Sequence, residues 1–155
     1  MRAKLPLGAA VVLAALGSGA APAASTGPTA YRAHVNAICR GYTPTFRQLK
    51  AQTIDAQKRN DGAAQARAID QFLILLVAEN GRIERTPVPA SIKGQIAPIL
   101  SLLKSFDSHI RRAAAQGAAG DVKGGQAEIQ SALSLAAPLA KLYDGAGLRD
   151  CGSNQ

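Results

Sequence analysis

The chain has 155 residues and a formal net charge of +8, from 18 lysines and arginines against 10 aspartates and glutamates. That length suits one domain of ordinary size. With no tryptophan, one methionine and two histidines, the chain is poorly supplied for histidine-based catalysis, for a His/Met haem and for stacking on nucleic-acid bases.

Met1, Arg2 and Lys4 give a positive start, followed by an apolar run over residues 5–16 and a small, weakly polar stretch over 17–24. This is the layout of a secretory signal peptide. Ala21-Pro22-Ala23 fits the small-x-small cleavage rule, so residues 1–23 are expected to be removed after Ala23. The apolar run is about 12 residues, short of the roughly 20 that a membrane span needs. No stable span is expected after cleavage. No cysteine stands at the cut to carry a lipid, and no Arg-Arg pair marks the twin-arginine route. Residues 24–29, Ala-Ser-Thr-Gly-Pro-Thr, read as a flexible leader.

Four helical patterns follow, and no alternating β-branched run suggests a strand. The first helix is expected over 30–59, with Tyr31, Val35, Ile38, Tyr42, Phe46 and Leu49 as its apolar stripe. Pro44 lies inside it and predicts a kink or break, because it has no amide hydrogen and crowds the carbonyl of Arg40. Asn60-Asp61-Gly62 is a turn, with Asn60 or Asp61 placed to cap the next helix.

The second helix is expected over 62–85, with Ala66, Ile69, Leu73, Leu76 and Ile83 facing inward. Residues 72–78 are apolar all round and are expected to be the most buried segment. Asn80-Gly81 is a weak point at which this helix is open to an early end. Thr86-Pro87-Val88-Pro89 forbids a continuous helix and is the clearest linker.

The third helix is expected over 90–116. Ile92, Ile96, Ile99, Leu103, Phe106 and Ile110 recur at steps of three and four, a bundle seam, with Pro98 inside it. The fourth helix is expected over 121–144, capped by Asp121. Its inward stripe is Ile129, Leu133, Ala136, Ala140 and Tyr143, with Pro138 internal. Gly145 and Gly147 end it. The fold expected is all-α: an antiparallel up-down four-helix bundle with Pro-kinked helices over 30–152, closed by one disulfide and followed by a disordered tail, 153–155. The three kinks either splay the helices around an apolar pocket or curve them around a crowded core. The crowded core is the expectation.

Cys39 and Cys151 are the only cysteines, 112 residues apart, and in an exported chain they read as a disulfide pair. Cys39 is expected to face the fourth-helix side of the first helix, with residues 145–151 antiparallel to its first turns. Two short stretches, Asn36-Ala37-Ile38-Cys39-Arg40 and Gly147-Leu148-Arg149-Asp150-Cys151-Gly152, together resemble uncharacterised small secreted helical proteins of actinobacterial type. Those proteins carry one cysteine near each end of the mature domain. The resemblance implies the cysteine pairing and no activity.

The chemistry-bearing residues point away from catalysis. His34 and His109 lie on different helices, no Gly-x-Ser-x-Gly elbow is present, and both cysteines are expected to be oxidised. Asp70 and Glu79, at the borders of 72–78, are the only acids placed for a raised pKa. No His-x-x-x-His pair or Cys-x-x-Cys-His motif offers a metal or haem site, so no cofactor is expected. On a helical wheel Arg32, Arg40, Arg47, Lys50 and Lys58 fall within about 80° of one another.

The expected function is therefore that of a secreted, non-enzymatic binding or interaction protein of the cell envelope or medium. Arg40, Arg47, Lys50 and Lys58 are its candidate contact with an anionic envelope component or protein partner, and nucleic acid is not expected. The alternative is a carrier of a small apolar ligand or haem within the bundle.

Overall fold

Four helical passes, with no strand among the described residues, account for nearly all of the backbone. The computed structural model describes residues 27–152. The expected signal peptide, residues 24–26 of the leader and the 153–155 tail lie outside the described residues.

The first pass, α1, is Pro28–Lys58. It begins two residues earlier than expected, inside the supposed leader. Pro28 takes the opening position, where a missing amide costs nothing and its fixed φ already suits the helix. The second pass, α2, is Gly62–Glu84. It does not end at Asn80-Gly81, because Asn80 is buried and spends its side chain on a neighbouring helix. A 3₁₀ turn at Ala90–Ile92 leads into α3, Lys93–Ala118.

The fourth pass is divided. Helix α4 is Val122–Ser134 and α5 is Ala136–Gly145, with Leu135 between them. Pro138 supplies no amide to the carbonyl of Ser134, and the Leu135 amide turns instead to Ala132 in a tighter 3₁₀-type bond of 3.0 Å. Pro44 and Pro98 leave α1 and α3 continuous, so the break offered as an outcome for α1 does not occur. Each removes one backbone bond, and burial of neighbours such as Phe46 and Ile99 holds the helix together across the gap.

Three helix ends share one solution. Asn60 (φ 54°), Gly120 (φ 81°) and Gly147 (φ 77°) adopt the left-handed conformation. The amide that follows each reaches back five residues: Asp61 to Ala56, Asp121 to Gln116 and Leu148 to Tyr143, at 2.8–2.9 Å. This is the Schellman arrangement, which satisfies carbonyls the helix leaves open. The same two aspartates then start the next helices. Asp61 Oδ1 accepts from the Ala64 amide and Asp121 Oδ1 from the Gly124 amide, each at 2.9 Å.

Packing is uneven. Helix α1 lies along α2, and α3 lies along α4, while α2 approaches α3 less closely and stays apart from α4 and α5. The main core joins Tyr31, Val35, Ile38 and Cys39 of α1 to Ile96, Ile99 and Leu103 of α3 and to Tyr143, Leu148 and Cys151 at the chain's end. The α3 seam is buried along its whole length, as its spacing predicted. Residues 72–78, expected to be the deepest, are not. Phe72, Leu73, Leu75, Leu76 and Val77 are half-buried and Ile74 is 61% exposed. Their partner helix does not close over them.

Cys39 and Cys151 are bonded, with Sγ atoms 1.92 Å and Cα atoms 5.1 Å apart. The residues after α5 run alongside α1 in the same direction, not antiparallel to it. Arg32 Nε donates to the Ala146 carbonyl at 2.7 Å, and Asn36 Nδ2 to the Gly147 carbonyl at 3.1 Å. Further along both segments, the Asp150 amide donates to Asn36 Oδ1 at 3.1 Å and Arg40 pairs with Asp150. A chain leaving the end of α5 near the start of α1 must travel up α1 to meet Cys39, which sets that direction.

Candidate functional site

The stripes of the second and fourth passes were expected to face the core. They face each other across a cavity of about 510 Å³ instead. Ile69, Leu73 and Leu76 line one wall from α2. Ile129 and Leu133 of α4, with Ala136, Ala140 and Tyr143 of α5, line the other. Phe106 and Ile110 of α3 also line it, and the Cys39–Cys151 disulfide contributes at one end. The crowded-core expectation is thereby corrected. Ala136 and Ala140 are too short to span the gap to α2, and the α4–α5 division falls beside this wall.

The wall is apolar except at one end. Glu79 and Asn80 are the last α2 residues on it, and Tyr143 is the last on α5. All three are at least 95% buried, and so is Asp107 behind Asn80. Asn80 Nδ2 donates to Asp107 Oδ1 at 2.8 Å. Burial raises the Asp107 carboxyl, opposed by that hydrogen bond and by the Arg111 guanidinium. Burial first, and the negative charges of Glu79, Asp107 and Glu84 after it, push the Tyr143 phenol far up. Tyr143 is therefore a neutral hydroxyl at any physiological pH. A buried carboxylate among apolar side chains was the pattern flagged for Glu79 in the sequence. What the sequence did not announce was the space in front of it.

A second cluster clasps α3 to α4. His109 Nδ1 lies 2.6 Å from Glu128 Oε2, and Arg112 Nε donates to Glu128 Oε1 at 2.9 Å. Arg112 Nη1 donates to Ser108 Oγ at 2.6 Å. The bonds from Arg112 and His109 hold the Glu128 carboxyl below its usual range. Arg112 and Glu128 fix one another as an interhelical tie. His34 is exposed on α1, so the two histidines do not meet. Among the described residues, no three His, Cys, Asp or Glu side chains gather to hold a metal ion.

The basic residues singled out on α1 divide. Arg40 is committed to Asp150 and helps fasten the disulfide end. Arg32 is turned to the Ala146 carbonyl and to Gln95. Arg47, Lys50 and Lys58 are exposed, with no ion pair among the described residues. No helix of the described residues is long and apolar enough to cross a membrane. No family model, curated protein or solved structure matches the chain.

Proposed function

We propose that this is a secreted, non-enzymatic binding protein that carries a small apolar molecule between α2 and the α4–α5 pass. The observation that carries the reading is the cavity. Ligand sites are concave, mostly apolar and commonly 300–1,000 Å³, with a few polar groups at fixed places. A gap of about 510 Å³ with an apolar wall and one polar end fits that description.

The rest of the architecture is consistent with the role. We read the helices as antiparallel and up-down, because connections as short as Arg59–Asp61 and Ala119–Asp121 return the chain directly. The missing amides of Pro44, Pro98 and Pro138 bend the passes and hold the walls apart. The disulfide suits an oxidising compartment outside the cytoplasm, as the signal-like N-terminus requires. Contact of Arg47, Lys50 and Lys58 with an anionic envelope component would be a separate property of the α1 surface, where Arg40 is already paired with Asp150.

The test is a fluorescence titration of the purified protein with N-phenyl-1-naphthylamine, a neutral apolar dye. Saturable enhancement that disappears in Ala140→Trp supports the cavity as a carrier site. No enhancement, or equal enhancement in the variant, contradicts it.

A further inference from the structure

We infer that the Cys39–Cys151 disulfide is a redox latch on the cavity: the oxidised chain holds its apolar ligand, and reduction of the bond by a dithiol releases it. This rests on the carrier reading above and adds the regulation of that site. The two walls belong to different halves of the molecule. Helix α2 lies along α1, and the α4–α5 pass packs on α3. The 3₁₀ turn Arg149–Cys151 packs on both α1 and α5, so it stands between the halves. Through that turn the disulfide joins the half that carries one wall to the half that carries the other. Cys39, Cys151 and Gly152 themselves line the cavity. Gly152 sits so close to α5 that a Cβ there would come within 3.0 Å of the Ala140 carbonyl, and Ala140 is part of the wall.

The polar ties that back up the bond are wetter. The Arg40 side chain is 61% exposed, so water screens its pairing with Asp150, and the Asn36 bond to the Gly147 carbonyl is exposed as well. Reduction proceeds by thiol–disulfide exchange. One thiolate of the dithiol attacks a cysteine sulfur, and its second thiol resolves the mixed disulfide. The products are two cysteine thiols and the cyclic disulfide of the reductant. Both cysteines are buried, so exchange requires local opening of the tail. Opening removes one end of the cavity and frees the α5 wall to shift relative to α2, and a ligand held between the walls opposes it. Binding and reduction are therefore linked, and the factor by which reduction weakens the ligand is the factor by which the ligand protects the bond.

The experiment titrates N-phenyl-1-naphthylamine into the oxidised protein and into the same protein held in excess dithiothreitol, at low temperature, with circular dichroism recorded in both states. The reduced protein is expected to keep its helical signal and to bind the dye at least about tenfold more weakly. Cys39→Ser with Cys151→Ser is expected to bind like the reduced protein and to ignore dithiothreitol. The reciprocal measurement needs no variant: in buffers of mixed reduced and oxidised dithiothreitol, saturating dye is expected to shift the protein toward the oxidised form by the same factor. Equal affinity in the two redox states overturns the inference, as does a dye that leaves the disulfide equilibrium unmoved. Weaker binding that comes only with loss of the helical signal also overturns it, because unfolding and not a latch would then be the cause. If the dye binds both states alike, the latch fails and the carrier reading stands. If the dye does not bind the oxidised protein, both fail.

Discussion

Asn80 of α2 donates a hydrogen bond of 2.8 Å to Asp107 of α3, and both side chains are at least 95% buried. The pair ties α2 to α3 at the polar end of the cavity. Replacing Asn80 with Leu removes the donor and leaves Asp107 buried with one partner fewer. The expected cost is about 1–3 kcal/mol of unfolding free energy, the penalty for stranding a buried polar group. Urea denaturation followed by circular dichroism measures it. A loss of a few tenths or less would mean that the pair does not hold α2 in place.

The two shifted carboxyls give stability opposite dependences on pH. Asp107 is raised above 3.8 in the folded state, so the native protein holds this proton more tightly than the unfolded chain does. Its contribution is complete below 3.8 and is lost as pH rises through the folded pKa. Glu128 is lowered below 4.5, so its contribution is present above 4.5 and lost as pH falls through the folded value. Asp107→Asn is expected to flatten the upper limb of the stability profile and Glu128→Gln the acid limb. Midpoints of urea unfolding across the acid range check both. Unchanged limbs in the variants would assign the dependence to other groups.

Much of this fold was legible in the sequence, and the reason is local. The α3 seam, the Asp61 and Asp121 caps, the 86–89 linker and the cysteine pair each follow from residue chemistry within a few positions or from one covalent bond. The candidate site was only half legible. Both of its walls were recognised as apolar stripes, but periodicity says which way a helix face points and not what it meets. Whether the stripes of α2 and α4–α5 touch depends on how far apart the helices are held, which involves the alanines at 136 and 140 and the division at Leu135. The same gap explains why 72–78, the most apolar stretch, is not the most buried. The direction of the tail along α1 was misjudged for a different reason: it is set by where α5 ends in space, which no local signal records.

The disulfide closes a loop of 112 residues and anchors the tail that borders the cavity. In the loop-entropy picture such a bond contributes roughly 4–5 kcal/mol. Reduction, or Cys39→Ser with Cys151→Ser, is expected to lower stability by about 2–5 kcal/mol. Thermal unfolding with and without dithiothreitol reads this directly. Because Asp150 and the carbonyls of Ala146 and Gly147 still bond to α1, the tail is expected to loosen rather than detach at low temperature. Loss of all helical signal on reduction at low temperature would contradict that.

The cavity as a binding site is tested most directly by methyl NMR of the protein titrated with N-phenyl-1-naphthylamine. Saturable shifts confined to Ile69, Leu76, Ile110, Ile129 and Leu139, and absent in Ala140→Trp, are the predicted result. Shifts centred on α1 away from these residues, or no saturable shifts at all, would contradict the account.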